Sequence, residues 1–351
     1  MTSQRLIKFN EAILEATEQL MLEDPSVSLM GLGVTDPMGI FGTTKGLSDK
    51  FPGRVIETPT AENGAMGIAI GSALVGVRPI ITHQRVEFAL LAIEQIVNQA
   101  AKWFYMTGGL KSVPLVVRLI IGRGWGQGPQ HSQSLDPWFA HIPGLKVVAP
   151  STAYDAKGMM IAAVRDNNPV VILEHRWLHN TTGDVPKKAF ETPIGKSRIA
   201  KNGTDVTIVT YSYMVTEAII AANALEKVGV SVEVVDIRTF RPLDMETIKK
   251  SVQKTKRLIT IDNGWVKFGI GSEIIAAIVS ENHDILVSSP SRLGIVDVPI
   301  PSTRALANFV YPGQKEIFSA VSFQLGVDLS SFIEASADVQ DVPNQSFTGP
   351  F

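Results

Sequence analysis

Apolar runs that stay apolar along their whole length, alternating with helical stretches, constrain this chain more than any other feature. VSLMGLGV (27–34), PIITH (79–83), VPLVVRLII (113–121) and PVVILE (169–174) are such runs. A strand with one face in water alternates apolar and polar residues. These do not, so both faces must be covered, as in a parallel sheet flanked by helices. Leu6, Phe9, Ile13, Ala16 and Leu20 recur at helical spacing, and Asp24-Pro25 ends that helix. RVIETPT is a second short strand, and Glu62 opens a further helix. Leu90, Ile93, Val97, Ala101 and Phe104 predict one face of a long helix stopped at Gly108-Gly109. KVVAP and a helix through Ala156–Val164 complete this half.

The pattern restarts near residue 205. DVTIVTYS, VSVEVVDI and RLITID read as strands, with helices over Thr216–Lys227 and Met245–Lys254 and from GIGSEIIAAIVSE. Between the halves, 180–203 is polar, basic and broken by Pro and Gly. The expected organisation is α/β, with two parallel-sheet domains over 1–185 and 204–335. A linker is expected over 186–203 and a polar tail over 336–351. A length of 351 residues suits two domains.

Composition removes several function classes. Lys+Arg 32 against Asp+Glu 34 leaves a net charge of −2, with no basic excess for a phosphate backbone, so nucleic acid is not expected as a partner. With Cys 0, disulfides, zinc–thiolate sites, iron–sulfur clusters and cysteine nucleophiles are excluded. Glu11, Glu15 and Glu18 interrupt what would be a signal-peptide core, and no stretch reaches about 18 apolar residues. A cytoplasmic protein without a membrane segment is the expectation.

The usual nucleotide and hydrolase motifs are missing: no GxxxxGK[ST], GxSxG or HExxH occurs. GRGWGQG is followed by Pro129 rather than a helix. FGIGSE does join a strand to a helix, where tight packing is the simpler reading. TPTAENGAMGIAIGSALVG is more informative. Glu62 heads a helix in which Gly64, Gly67 and Gly71 recur on neighbouring turns. Each glycine costs about 1 kcal/mol relative to alanine, so close approach of another backbone or a ligand should compensate. Taken alone, Glu62 reads as a carboxylate that gains from the helix dipole before it reads as catalytic. His131, in GPQHSQS, follows a buried strand, where parallel sheets bind ligands; a structural loop histidine is the equal alternative. Phe88 reads as core. RDNNPVV reads as a helix stop before a strand. The other histidines show no metal-ligand spacing.

In order, TAENGAMGIAIG, EFALLAIEQIVNQAAKWFYMTGG, GQGPQHSQS, GLKVVAPSTAYDAKG, RDNNPVVILE and GIGSEI resemble the beta subunit of the thiamine-diphosphate-dependent decarboxylating component of 2-oxo-acid dehydrogenase complexes. The pyruvate, branched-chain and acetoin enzymes belong to that family. The resemblance runs from about residue 5 to about 330. It implies a pyrimidine-binding domain followed by a transketolase C-terminal domain. It gives Glu62 the role of hydrogen-bonding the cofactor's aminopyrimidine from a dry pocket, so that the ring's exocyclic imine serves as internal base. Phe88 would stack on that ring, with Thr60 beside them among the cofactor-binding residues. His131 would orient the intermediate and assist acyl transfer to a lipoyl domain. Leu115, Ala163, Asp166 and Asn168 match a potassium site of some members, the first two through carbonyl oxygens.

Thiamine-diphosphate enzymes anchor the diphosphate through Mg²⁺ with a GDG segment, and none occurs here. The resemblance therefore implies half of a shared active site. An alpha subunit would hold Mg²⁺ and the diphosphate in a two-alpha, two-beta heterotetramer that serves a lipoyl-bearing acyltransferase core. Thr60-Ala61, Asn63, Ala65-Met66 and His83-Gln84-Arg85 depart from the commoner residues and bear on which 2-oxo acid is used, with pyruvate first. Two other readings stay open at this point: half of a split transketolase-like enzyme transferring ketol units, and a non-catalytic binding subunit.

Overall fold

The computed structural model describes residues 5–124 and 126–336. The expected tail, but for Ser336, lies outside the described residues. The chain forms two compact units. Of the described residues, the first holds those up to Ile121 together with Trp138–Ile194; the second holds Gly122–Pro137 and those from Gly195 to Ser336.

In the first unit, parallel strands stand in the order Lys146–Val148, Val170–His175, Val116–Ile121, Arg78–His83, Val27–Gly31 and Val55–Glu57. Every residue of Val27–Gly31, Val116–Ile121 and Val170–His175 is buried, as their unbroken apolar character requires. Helix Phe9–Glu23 and helix Ala153–Arg165 cover one face. Ala16, Leu20 and Met21 of the first meet Met159, Met160 and Val164 of the second over Leu29, Ile80, Val116 and Ile172. Thr152 caps helix Ala153–Arg165 by accepting from the Asp155 N–H at 3.1 Å. Lys157 on that helix is fully buried, donating to Glu15 at 2.5 Å and to the Pro186 and Lys187 carbonyls.

The long helix expected around 90–104 is not regular. Residues Val86–Ala89 are α-helical, Leu90–Ala92 form a 3₁₀ turn, Gln95–Ala100 form a π-helix and Trp103–Met106 are again α-helical. The wider π-turn rotates the buried stripe onto Ala92, Ile96, Ala100 and Ala101. Ile93 and Val97 are thus only half-buried, and Phe104 is exposed.

In the second unit, Ser291–Ile295, Leu258–Trp265, Val206–Thr210 and Val232–Asp236 are parallel, with Arg198–Lys201 added antiparallel at one edge. Helices Tyr213–Glu226, Met245–Thr255, Ile270–Glu281 and Gln314–Leu325 accompany them. Part of the stretch expected as linker, 198–201, is therefore strand, held in place by Arg198 Nη2 donating to Asp236 Oδ2 at 3.0 Å. Among the described residues, no helix is long and apolar enough to cross a membrane.

Candidate active site

Helix Glu62–Leu74 begins just beyond the carboxyl ends of strands Val27–Gly31 and Arg78–His83, where parallel sheets bind ligands. Glu62 is its first residue, and the macrodipole there favours a negative charge. The carboxylate makes no hydrogen bond or ion pair with any described residue and is half-buried. It lines a narrow cleft, part of it open to solvent, together with Leu32, Thr58, His83, Gln84 and Phe88. Phe88 reaches the cleft from the short helix Val86–Ala89. The structure thus brings Glu62 and Phe88 together. Thr60 is exposed and does not line the cleft, whereas Thr58 is buried and does.

The walls of the cleft explain several local choices. Gly31 has φ +152°, and a Cβ there would lie 2.5 Å from the Thr82 carbonyl oxygen, so only glycine lets the two strands end side by side. Gln84 donates through Nε2 to the Leu32 carbonyl at 3.1 Å. His83, the last residue of its strand, is buried, and its Nε2 has no hydrogen-bond partner among the described residues. Burial pushes its pKa down to about 4, so the imidazole is neutral at pH 7. Beneath the sheet end, Arg118 and Glu174 form a fully buried bidentate pair at 2.6 and 2.9 Å. Burial alone would raise the Glu174 pKa; Arg118, with His179 3.4 Å away, outweighs it and brings it to about 2.

His131 belongs to the other unit, in the loop that leaves strand Val116–Ile121. The glycine run before it is a backbone requirement: Gly122, Gly124, Gly126 and Gly128 all have positive φ. A Cβ on Gly128 would lie 2.3 Å from Ser302 Oγ. His131 itself is half-buried. The loop ends at Asp136, which is fully buried and accepts from the Tyr211 hydroxyl at 2.9 Å. Asp262 Oδ1 lies 3.3 Å from the same hydroxyl and accepts the Gly271 N–H. The glycines of FGIGSE are packing glycines, since a Cβ on Gly269 would lie 2.5 Å from Asp262 Oδ2. Sequence reasoning missed Asp136, Tyr211 and Asp262. An aspartate before proline reads as a helix start, and nothing in the sequence points from it to Asp262.

Around the expected cation site, the Leu115 carbonyl accepts the Val170 N–H at 2.9 Å. Asp166 is engaged by the Lys146 ammonium and by the Asn168 N–H, and its carbonyl accepts from Arg78. Two basic side chains therefore already supply positive charge to that turn. Ala163 is buried on helix Ala153–Arg165. Among the described residues, no three His, Asp or Glu side chains cluster as metal ligands.

Residues 6–181 match the transketolase pyrimidine-binding domain family and residues 195–317 the transketolase C-terminal domain family. The bovine mitochondrial pyruvate dehydrogenase E1 component subunit beta is 40% identical over 327 residues, covering 92% of this chain and 91% of that protein. The beta subunit of acetoin:2,6-dichlorophenolindophenol oxidoreductase from Cupriavidus necator is 40% identical over 326 residues, covering 90% and 96%. A solved split-gene transketolase, an inactive beta4 tetramer, superposes with a TM-score of 0.75 at 24% identity over 91% of this chain and 98% of that one, a likeness of fold. With both domains matched in order and relatives at this identity along nearly its full length, the chain belongs to the transketolase-like family of beta subunits that includes those of the pyruvate dehydrogenase E1 component and the acetoin enzyme.

Proposed function

We propose that the chain is the beta subunit of a thiamine-diphosphate-dependent enzyme. The enzyme oxidatively decarboxylates a 2-oxo acid, pyruvate first, and passes the acyl group to a lipoyl domain. One observation carries this reading: the Glu62 carboxylate, which no described residue engages, shares a cleft with the Phe88 ring. An acceptor beside an aromatic face, with an unpartnered imidazole nitrogen in the same walls, suits a flat heteroaromatic ring with polar edges. The pyrimidine of thiamine diphosphate is such a ring. Glu62 and Phe88 would hold it. When bound, the cofactor supplies a nucleophilic carbon and an electron sink for loss of carbon dioxide.

The protein's share is positional and electrostatic. Phe88 fixes the plane of the ring. Glu62 accepts a hydrogen bond at a ring nitrogen, and its anion, placed at a helix start, holds a proton there. His131 orients the reacting group. Glu62 is only half-buried in this chain, so the dry pocket that strengthens such a bond needs a covering surface. An alpha subunit that also carries Mg²⁺ and the diphosphate provides it, in a two-alpha, two-beta assembly. The test is Glu62→Gln, which keeps shape and removes the anion, co-purified with the alpha subunit. Pyruvate decarboxylation with an artificial electron acceptor is expected to fall by at least about 100-fold, with folding and assembly unchanged. Full activity in that variant would overturn the assignment.

A further inference from the structure

A buried polar atom without a partner is costly, and proteins keep few of them unless something other than the fold satisfies them. His83 Nε2 is such an atom among the described residues, and its residue lines the cleft where a ligand is expected. The residue ends strand Arg78–His83, is 6% exposed, and lines the same cleft as Glu62 and Phe88. The polar neighbours in the cleft do not satisfy it. Gln84 Nε2 is committed to the Leu32 carbonyl, and Thr82 Oγ1 accepts from Arg118 at 3.4 Å.

The three functional side chains of the cleft differ in what they can offer. Glu62 as an anion only accepts hydrogen bonds, and Phe88 offers a face. A neutral imidazole offers a donor at one nitrogen and an acceptor at the other, and the tautomer chooses which sits at Nε2. Burial keeps His83 in that neutral form. It can therefore match either a ring nitrogen or an amino group, which a carboxylate cannot do.

We propose that His83 is a positioning residue for the heteroaromatic ring of the cofactor, hydrogen-bonding through Nε2 to a polar edge that Glu62 does not hold. This rests on the reading of the cleft as a thiamine-diphosphate site. Phe88 and Glu62 alone leave the ring free to pivot about the Glu62 bond within its plane. A second edge contact from a different element fixes that rotation. The unpartnered nitrogen of the ligand-free chain is the cost of a contact made only when the ring is present.

The experiment uses the assembled protein with its alpha subunit and compares wild type with His83→Phe and His83→Gln. Three quantities are read: the Tm without cofactor, the Kd for thiamine diphosphate with Mg²⁺ by tryptophan fluorescence, and the rise in Tm that the cofactor produces. His83→Phe removes an unsatisfied nitrogen, so its Tm without cofactor is expected to equal or exceed that of wild type. Its Kd is expected to rise about 3- to 10-fold, and the cofactor-induced rise in Tm should shrink. Glutamine places an amide near the Nε2 position, so His83→Gln is expected to stay within about 3-fold of wild type in Kd. Should the phenylalanine variant fail to assemble, His83→Leu is read in the same way. An unchanged Kd in the apolar variant overturns the proposal, because Nε2 then makes no contact with the ring. Equal weakening in both variants with a lowered Tm also overturns it, because the role is then structural. Glu62→Gln is run beside them: loss of decarboxylation there with an unchanged Kd in His83→Phe sinks this proposal alone, whereas retained decarboxylation sinks the underlying reading.

Discussion

The Tyr211 hydroxyl donates to Asp136 Oδ2 at 2.9 Å, and both side chains are buried. Asp262 Oδ1 stands 3.3 Å from the same oxygen. One hydroxyl proton cannot satisfy two carboxylates, and two anions in so dry a place repel. Burial, opposed by the Tyr211 hydrogen bond, pushes Asp136 up to about 7. Burial and the neighbouring Asp136 charge push Asp262 up to about 7 against the Gly271 N–H bond. The two titrate as a pair, and both hold their protons well above the usual carboxylate range.

Stability should therefore fall as pH rises from about 4 to about 7. Aspartates in the unfolded chain release their protons near pH 4, while the folded pair keeps them until about 7. The native state binds more protons in that window, so its advantage is complete below pH 4 and is lost as pH rises through 7. Asp136→Asn supplies a neutral side chain of the same shape. At pH 8 the variant is expected to be more stable than wild type by about 1 kcal/mol, and at pH 4 it should show no such gain. Thermal unfolding of both proteins from pH 4 to 8 measures this. Parallel curves would show that the pair carries no excess proton.

The buried ion pair of the first unit behaves in the opposite way. Arg118 and Glu174 are 0% and 1% exposed, and two hydrogen bonds join them. Removing one partner leaves the other charge stranded, which costs about 3–5 kcal/mol. Arg118→Met is thus expected to lower Tm sharply or prevent folding. Arg118→Met with Glu174→Leu should recover most of the loss, since an apolar pair of similar volume is often neutral there. A double variant as unstable as the single would show that the charge itself is needed. Urea midpoints of the three proteins decide it.

These two acid networks show where the sequence stops being readable. Strands such as Val116–Ile121 and Val170–His175 are legible because burial on both faces leaves them no polar residue to show the solvent except paired ones. Arg198–Lys201 and Ser291–Ile295 are not, because each stands at an edge of its sheet and is mostly half-exposed. The stripe over 90–104 fails because the spacing test assumes 3.6 residues per turn and Gln95–Ala100 is a π-helix. Glu62, Phe88 and His131 stand out through contiguous motifs. His83 stands out only as a departure from the commoner residue, and Asp136 and Asp262 not at all, since what matters about all three is a missing or shared partner, and that is a property of packing between distant segments.

The glycines of helix Glu62–Leu74 make a prediction that separates folding from assembly. The sequence asks what compensates for three glycines in one helix. Among the described residues the answer is nothing: a Cβ at Gly64 or Gly71 would meet open space, and one at Gly67 would make ordinary contact with Gln95 at 3.7 Å. Ile68, on the same helix, is 65% exposed. Gly64→Ala and Gly71→Ala should each stabilise the isolated chain by about 0.5–1 kcal/mol through helix propensity. If this face is where the alpha subunit packs, the same substitutions push the two backbones apart and weaken assembly. Unfolding of the chain alone and size-exclusion chromatography with the alpha subunit read the two effects separately. Variants that are more stable alone and still assemble fully would show that the glycines face solvent in the complex too, and that the partner covers the cleft from elsewhere.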